Sequence, residues 1–342
     1  MNKCNDKNIK LITKSTNIKY LLGYNFEGYV LLFDDDFLFF TDSRYYEEAK
    51  KIYKNKVINS HNNYLNSVFK YLNDNKIAAL YFERSISYNS FLNLKKLARK
   101  NNIKLISEEN IIEKKRMVKS QNELMKMRES AQINDLIFKE VLKDIELGVT
   151  ELYLKNRLEY YLRMYGGNKS SFELIVLFGK RTSMPHGFSS DKKLERDMPI
   201  LFDIGVEYKD YCSDMTRMVY FGKPDAGFLE DYYYLQDIQA KALDMVKGGV
   251  PCKDIDAMVR NDLSAKKLDI LHSTGHGVGL DIHEGPFINI NSQDKLEANM
   301  VITIEPGIYF PNKYGIRIED LVVVNNNGYE LLSKTNKDII VI

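Results

Sequence analysis

The chain has 342 residues, of which 44% are hydrophobic and 28% are charged, as is ordinary for a soluble globular protein. Its net charge is +2 and its Lys and Asn residues are scattered, which argues against a nucleic-acid partner and against an anionic membrane surface. A chain of this length buries a large core and is predicted to form two domains.

Cysteine usage and the N-terminus predict a cytoplasmic protein. The three cysteines, Cys4, Cys212 and Cys252, are odd in number and form no CxxC pair, which argues against a disulfide framework. The first residues, MNKCNDKNIK, are polar and lack the apolar core of a signal peptide. No apolar run approaches the roughly 18–20 residues that span a bilayer, so we expect no membrane partner.

Residues up to about 112 predict an alternating α/β unit. Strands are predicted at Gly28–Phe33, Phe37–Thr41, Ile77–Phe82 and Lys104–Ile106, and helices around Tyr45–Tyr53, Tyr64–Asn73 and Ser90–Lys100. No titratable cluster in this half has the spacing of metal ligands. His61, in a polar HNN context, is predicted to lie at the surface.

A charged segment marks the predicted domain boundary. Ser120 with Glu123 three residues later matches a capping box, which predicts the start of a long amphipathic helix. We interpret the basic run Lys114–Lys119 as a solvated linker rather than a nucleic-acid site. The boundary is placed near residue 115, which gives domains of 1–115 and 116–342.

From Asp144 onward the chain again alternates helices and strands. Helices are predicted near Thr150–Tyr165, Leu229–Lys247 and Cys252–Lys266, and strands at Phe172–Phe178, Ile200–Val206, Tyr211–Phe221, Met300–Phe310 and Ile316–Val324. Thr150 is a candidate N-cap for the first of these helices.

The stretch PILFDIGVEYKDYCSDMTR, residues 199–217, places two carboxylates in apolar surroundings. Its two apolar runs flank the polar turn Glu207–Asp210 and predict a hairpin. Asp203 lies in the first strand and Asp214 in the second. If their faces coincide, the pair needs a cation or a shared proton. On this stretch alone, a solvent-facing pair on an exposed hairpin is an open alternative.

Further acidic and imidazole residues lie in similar settings later in the chain. The Gly-rich stretch HSTGHGVGLDIHEGP holds three of the five histidines, His272, His276 and His283. Glycines there allow the backbone to approach a ligand closely. Glu305 interrupts the apolar run VITIEPGIYF, and GIRIEDLVVV is predicted to place Arg317 and Glu319 on one strand face.

Four carboxylates embedded in apolar strands, beside clustered imidazoles, favour a metal centre. Each buried carboxylate is costly unless its charge is compensated. Arg317 is able to neutralise one, and two divalent ions would balance four carboxylates beside a neutral histidine. Oxygen-rich ligands without thiolate favour Mn²⁺, while one imidazole also admits Co²⁺, Fe²⁺ or Zn²⁺. A two-metal site would generate a bridging hydroxide and polarise a carbonyl.

In this order, PILFDIGVEYKDYCSDMTR, HSTGHGVGLDIHEGP, TIEPGIYF and GIRIED resemble the motifs of the pita-bread metallopeptidases. That family includes methionine aminopeptidase, aminopeptidase P, prolidase and the metal-free creatinase. The resemblance extends from about residue 120 to the C-terminus. It implies an α+β fold, with a C-terminal pita-bread (creatinase/aminopeptidase) catalytic domain and an N-terminal α/β creatinase-type domain. The family's five metal ligands map onto Asp203, Asp214, His276, Glu305 and Glu319.

The N-terminal half narrows the resemblance to the Xaa-Pro peptidases, prolidase and aminopeptidase P. TNIKYLLGY and TDSRYYEEA resemble the creatinase-type N-domain, which methionine aminopeptidases lack. His186, in MPHG, resembles the histidine that faces the prolyl side of the substrate. His283 resembles the histidine that stabilises the tetrahedral intermediate, and Arg317 the arginine beside the last ligand. Taken alone, the three have plain alternatives as a loop histidine, a satisfied core residue and a structural ion-pair partner.

The implied reaction is hydrolysis of the peptide bond before proline in short proline-containing peptides. Glu305 would pass a proton from water to the prolyl nitrogen, and His283 would help to stabilise the oxyanion. His186 and Arg317 would orient the substrate, and His272 would support the loop that carries it. We expect a prolidase-like Xaa-Pro dipeptidase, with an Xaa-Pro aminopeptidase acting on longer peptides as the alternative. The family also implies a homodimer.

Some residues depart from the family pattern. Asp210 stands where members commonly have Gly, and Met218 where they often have Thr, so both bear on loop shape and substrate fit rather than on metal binding. Cys212 is interpreted as a small buried residue. The rival functions are a metal-free binding module and a creatinase-like C–N hydrolase. The presence of all five ligand types argues against both.

Overall fold

A computed structural model describes residues 8–34, 36–61, 63–268 and 271–342, so Cys4 lies outside the described residues. The chain divides into two compact units, Met1–Arg116 and Met117–Ile342. Among the helices so described, none combines the length and apolar character needed to cross a bilayer.

The N-terminal unit is built on one mixed sheet. Its strands are β1 (Lys10–Ile12), β2 (Tyr29–Leu32), β3 (Phe37–Thr41), β4 (Val57–Asn59), β5 (Ala79–Glu83) and β6 (Lys104–Glu108). Its helices are α1 (Ser15–Leu22), α2 (Ser43–Tyr53), α3 (Tyr64–Asp74) and α4 (Tyr88–Lys100), and α5 (Glu113–Met117) follows them. The strand order is β4-β3-β2-β1-β5-β6, with β1 antiparallel to β2 and parallel to β5. The predicted α/β alternation is confirmed, and His61 is exposed as predicted.

Strand β1 and helix α1 are not predicted from the sequence. A strand of three residues is too short for an alternating pattern to be recognised. Lys14, which precedes α1, makes no side-chain capping hydrogen bond. Instead, Glu83 of β5 accepts hydrogen bonds from the backbone N–H groups of Thr13 and Lys14, at 2.6 and 2.8 Å. The helix therefore begins at a contact that is distant in sequence and leaves no local signal.

The C-terminal unit carries its helices in two pairs. They are α6 (Gln121–Val141), α7 (Glu151–Met164), α8 (Ala226–Asp244) and α9 (Cys252–Ala265). The capping box predicted for α6 is confirmed, because the Ser120 hydroxyl and the Glu123 carboxylate each bond the other residue's backbone N–H. Thr150 caps α7 as predicted.

The strands of this unit form two main sheets. They are β7 (Lys169–Ser170), β8 (Ile175–Phe178), β9 (Met198–Ile204), β10 (Val206–Tyr208), β11 (Tyr211–Cys212), β12 (Met215–Phe221), β13 (Gly275–Gly277), β14 (Glu284–Ile288), β15 (Val301–Ile304), β16 (Gly307–Phe310), β17 (Tyr314–Arg317), β18 (Asp320–Asn325), β19 (Gly328–Leu331) and β20 (Ile340–Val341). One sheet has the order β20-β12-β9-β8 and the other β14-β13-β15-β18-β19. Helix α7 and the C-terminal half of α6 pack on the first sheet, and the N-terminal half of α6 packs on the second. Helices α8 and α9 share a core with strands of both sheets.

The predicted hairpin after β9 is confirmed, with a tighter turn than predicted. Strands β10 and β11 pair antiparallel, with Tyr208 opposite Tyr211. The turn is therefore the two residues Lys209 and Asp210, whose φ angles are 49° and 75°. A two-residue hairpin turn with positive φ at both positions favours Gly, Asn or Asp. Asp210 suits this position, because Asp tolerates this backbone conformation.

Three of the four predicted carboxylates lie at interruptions of strands, so their placement within strands was wrong. The run predicted as Met300–Phe310 is divided at Glu305, and the run predicted as Ile316–Val324 is divided at Glu319. Asp214 lies between β11 and β12, and only Asp203 of the four lies within a strand, near the end of β9. Pro306, which follows Glu305, has no N–H group with which to continue a ladder.

A buried ion pair holds the strand interruption at Glu319 against β12. The Arg217 side chain is 2% exposed and that of Asp320 is fully buried, and they meet at 2.6 Å. Arg217 also donates to the carbonyls of Glu319 and Thr335, and Asp320 accepts from Gln239 at 2.9 Å. Burial alone would raise the pKa of Asp320, but the nearby Arg217 and Lys337 charges hold it below its ordinary value.

We expect Arg217→Met to lower the free energy of unfolding by ~3–5 kcal/mol, because it strips a buried carboxylate of its main cation. The matched control is Arg128→Met. That arginine pairs with Glu330 through two hydrogen bonds, but both side chains are about two-fifths exposed. The control should lose only about 0–1 kcal/mol. Urea denaturation measures both, and equal small losses would contradict the assigned role of the buried pair.

Candidate metal centre

The five predicted metal ligands come together in one cavity, although they are spread over 117 positions from Asp203 to Glu319. The cavity has a volume of about 450 Å³ and is lined by all five, together with His186, His272, His283 and Arg317. Asp214, His276 and Glu319 are buried, with one ligand atom of each within 4.8 Å of the others. The predicted alternative of an exposed, solvent-facing Asp pair is therefore wrong.

His276 lies at the centre of the group. Its Nε2 atom is 3.6 Å from Oδ2 of Asp214 and 3.5 Å from Oε1 of Glu305. Its Nδ1 atom is 3.1 Å from the Gly277 carbonyl, which accepts the ring N–H. That bond leaves the lone pair of Nε2 directed at the carboxylates, as a metal-ligating imidazole requires.

The glycines beside His276 allow neighbouring strands to approach closely. A Cβ atom at Gly275 would lie 2.0 Å from the Thr303 carbonyl oxygen, and one at Gly277 would lie 2.1 Å from that of Gly285. From the sequence, these glycines are predicted to allow close approach of a ligand. In the structure the close approach is to the strand β15 on one side and to β14 on the other.

Glu319 and Asp203 are each held by hydrogen bonds from the protein. The Thr216 hydroxyl donates to Oε2 of Glu319 at 2.7 Å. The Arg317 guanidinium donates to Oδ2 of Asp203 at 2.5 Å and to the Thr216 hydroxyl at 3.1 Å. Asp203 and Thr216 are direct partners in the β9–β12 ladder, so the strand register places both carboxylates around Arg317.

A tyrosine that the sequence analysis missed connects Arg317 to His272. The Tyr309 hydroxyl accepts from Nη1 of Arg317 at 2.8 Å and donates to Nε2 of His272 at 2.9 Å. Gly307 gives room for this hydroxyl, since a Cβ atom there would lie 2.5 Å from it. The available signal was alternation, because Tyr309 and Gly307 share a face of β16 and Gly307 pairs with Arg317.

The buried carboxylates repel one another, and the site has too little positive charge to balance them. Burial raises the pKa of Asp214, and the charges of Glu319, Asp203 and Glu305 raise it further. Burial, followed by the charges of Glu305 and Asp203, raises the pKa of Glu319. Burial also lowers the pKa of His276 to about 4, so this imidazole is neutral at pH 7.

The donor set therefore fits divalent metal ions. Four carboxylates supply oxygen ligands and His276 supplies one neutral nitrogen, while Arg317 offsets one negative charge through Asp203. Hard and borderline divalent cations prefer this combination of oxygen with a single imidazole. Cys212 is buried, and burial raises the pKa of its thiol to about 12, so it is not a thiolate ligand at neutral pH.

His186 and His283 lie at the wall of the cavity rather than among the ligands. Both side chains are exposed. The His283 ring makes an edge contact with the His276 ring, with centroids 4.4 Å apart. Three phenylalanines, Phe172, Phe188 and Phe287, also line the cavity and were not predicted. Because they come from three separate segments, no local pattern identified them.

The chain matches two known protein families along most of its length. Residues 125–326 match metallopeptidase family M24, and residues 4–118 match the creatinase/prolidase N-terminal domain. The uncharacterized peptidase YqhT of Bacillus subtilis (strain 168) is 35% identical over 337 residues, which cover 97% of this chain and 95% of that protein.

Two solved structures extend the likeness over nearly the whole chain. The Xaa-Pro dipeptidase from Bacillus anthracis has a TM-score of 0.93 at 33% identity, and covers 98% of this chain and 95% of its own. The X-Pro aminopeptidase from Thermotoga maritima MSB8 has a TM-score of 0.88 at 32% identity, and covers 98% of each chain. The predicted α+β fold class and the resemblance to the pita-bread metallopeptidases are confirmed. The chain belongs to metallopeptidase family M24, with an N-terminal domain of the creatinase/prolidase type.

Proposed function

We propose that this protein is an Xaa-Pro dipeptidase that holds two divalent metal ions. The observation that carries the proposal is the convergence of Asp203, Asp214, His276, Glu305 and Glu319 in one cavity. Membership of a metallopeptidase family implies divalent metal ions. Residues 116–342 are the proposed catalytic domain and residues 1–115 the proposed N-terminal domain.

The five residues would hold the metal ions, with Mn²⁺ as the proposed species and Co²⁺, Fe²⁺ or Zn²⁺ as alternatives. When bound, such ions make a water molecule acidic enough to ionise near neutral pH and polarise a carbonyl group. With neutral His276, the carboxylates carry four negative charges, of which Arg317 offsets one, so a single divalent ion would leave the site negative.

Glu305 is the proposed proton carrier. Its carboxylate lies directly after β15, 3.5 Å from Nε2 of His276 and at the cavity wall. Burial raises its pKa to about 8, and Arg317 opposes that shift. In the proposed reaction it takes a proton from the attacking water and delivers it to the prolyl nitrogen as the peptide bond breaks.

His283, His186 and Arg317 have supporting roles in the proposal. The neutral His283 ring donates an N–H to the oxygen that becomes negative in the tetrahedral intermediate. His186, on an exposed loop at the cavity wall, orients the prolyl side of the substrate. Arg317 donates to four groups of the protein, which favours holding Asp203 in place over direct contact with substrate.

Cleavage of dipeptides rather than longer peptides is the finer part of the proposal. The Xaa-Pro dipeptidase from B. anthracis has a TM-score of 0.93, against 0.88 for the T. maritima aminopeptidase. The competing activity is an Xaa-Pro aminopeptidase. A homodimer and a cytoplasmic location stay predictions.

Metal binding is expected to stabilise the fold, because it relieves repulsion among buried carboxylates. A ligand present at 100 times its Kd stabilises the folded state by ~2.7 kcal/mol. Metal-free protein given Mn²⁺ should bind two equivalents by calorimetry and show a higher Tm. Glu319→Gln should lose at least one equivalent, whereas the control His61→Ala, an exposed histidine of the N-terminal unit, should bind as the wild type does. Equal binding by Glu319→Gln would contradict the ligand assignment.

Glu305→Gln should lower kcat by about 10²–10⁴-fold, because the amide cannot carry the proton. The measurements are kcat for Ala-Pro hydrolysis and the metal content of the variant, made on the same preparation. Normal turnover by a variant that retains its metal would refute the proposed role of Glu305.

The length of the substrate is tested by comparing Ala-Pro with Ala-Pro-Ala at saturating Mn²⁺. The proposal predicts a higher kcat/KM for Ala-Pro, with free proline as a product. Cleavage of the tripeptide alone would instead identify an Xaa-Pro aminopeptidase.

A further inference from the structure

The loop that carries His186 presents three neighbouring side chains to solvent. This segment, residues 179–190, is named here the His186 loop, and it begins with a 3₁₀ turn, Gly179–Ser183. Met184 is 49% exposed and Phe188 is 77% exposed, and His186 between them is exposed as well. Side chains with so little packing of their own depend on the backbone beneath them for their position.

One buried carboxylate joins the two ends of this loop. Glu151 is the first residue of α7, and its side chain has no exposed surface. Its Oε1 atom accepts from the backbone N–H of Phe178 at 2.8 Å. Its Oε2 atom accepts from the backbone N–H and the hydroxyl of Ser190, at 2.9 and 2.7 Å. The residues just before and at the end of the loop are therefore fastened to a single side chain.

Arg181 links the same carboxylate to the part of the loop beside His186. Its Nε atom lies 3.0 and 3.1 Å from the two oxygens of Glu151. Its Nη2 atom donates to the Phe188 carbonyl at 2.6 Å. Arg181 thus spans the loop from its 3₁₀ turn to its C-terminal arm, and its charge compensates the buried Glu151.

The middle of the loop is tied to the metal centre by separate contacts. The backbone N–H of Gly315 donates to the Thr182 hydroxyl at 2.8 Å, and Nη1 of Arg317 donates to the Pro185 carbonyl at 3.3 Å. Glu151 therefore fixes the ends of a segment whose centre is hydrogen-bonded to Arg317. A displacement at either end would move His186 relative to the ligands.

We propose that Glu151, acting with Arg181, is a positioning residue for His186. This inference rests on the proposed function, in which His186 orients the prolyl side of the substrate. Small displacements of an orienting group weaken substrate binding even when the reacting groups are intact. Loss of the Glu151 contacts should therefore affect KM through the His186 loop and spare the chemistry at Glu305.

The first test is Glu151→Gln, which keeps one acceptor but loses the charge that holds Arg181. We expect KM for Ala-Pro to rise about three- to tenfold with kcat within about twofold of wild type, the pattern of a lost orienting contact. Amide hydrogen exchange at Met184, Gly187 and Ser190 should become faster. In a His186→Ala background, Glu151→Gln should raise KM no further, since the residue through which it acts is absent.

Two other variants separate positioning from general destabilisation. Arg181→Lys changes the half-buried partner of the pair: it keeps the positive charge but loses the second hydrogen bond, to the Phe188 carbonyl. It should also raise KM, and it serves as the test if Glu151→Gln fails to fold. The control Asp135→Asn weakens a carboxylate that accepts three hydrogen bonds from Lys334 and Thr335. It should lower Tm and leave KM unchanged.

Several results would overturn the inference. These are an unchanged KM in both Glu151→Gln and Arg181→Lys, a fall in kcat alone, or an equal rise in KM with and without His186. A wild-type KM for His186→Ala would also overturn it. If the wild type cleaves no Xaa-Pro peptide, the proposed function fails and the inference with it, whereas an active wild type with unaffected loop variants rejects only the positioning role.

Discussion

Repulsion among carboxylates that share one buried cavity is the constraint on which the rest of the catalytic unit depends. Asp214 and Glu319 are almost fully enclosed. Besides burial, the charge of Glu319 raises the pKa of Asp214, and the charges of Glu305 and Asp203 raise the pKa of Glu319. Burial makes His276 neutral, so this histidine offers no compensating charge. One arginine is too little for four carboxylates, and divalent metal ions supply the missing positive charge.

The strands of the catalytic unit are interrupted at three of the proposed ligands. The chain departs from regular strand geometry at Asp214, Glu305 and Glu319, so these side chains turn into a common space instead of alternating across a sheet. The buried pair of Arg217 and Asp320 then holds one such interruption against β12. The free energy that offsets the cost of these buried charges comes from the apolar cores of the two helix-covered sheets. Those cores include residues of the ligand-bearing strands.

Much of this could be predicted from the sequence, for identifiable reasons. The ligand residues were recognisable because a charged side chain inside an apolar run is rare, as with Glu305 in VITIEPGIYF. The capping box at Ser120 was recognisable because both of its partners lie within one turn of helix. The resemblance of the motifs to a known family then supplied the roles that residue chemistry alone left open.

The remaining features depend on contacts between distant residues. In the sequence, Tyr309 has the pattern of a core aromatic residue. Its role becomes visible only in the hydrogen bonds of its hydroxyl with His272 and Arg317. Glu151 reads as an acidic residue in the first turn of a helix, a common feature that complements the helix dipole. Its contacts with Phe178 and Ser190 are set by the packing of α7 beside the His186 loop. Such contacts leave no trace in local periodicity.

The most direct test of the account is anomalous diffraction at the manganese edge from crystals soaked in Mn²⁺. Two anomalous peaks are expected in the cavity between Asp203, Asp214, His276, Glu305 and Glu319. A cavity without a peak, or peaks bound only by other residues, would contradict the assignment of these five residues as metal ligands.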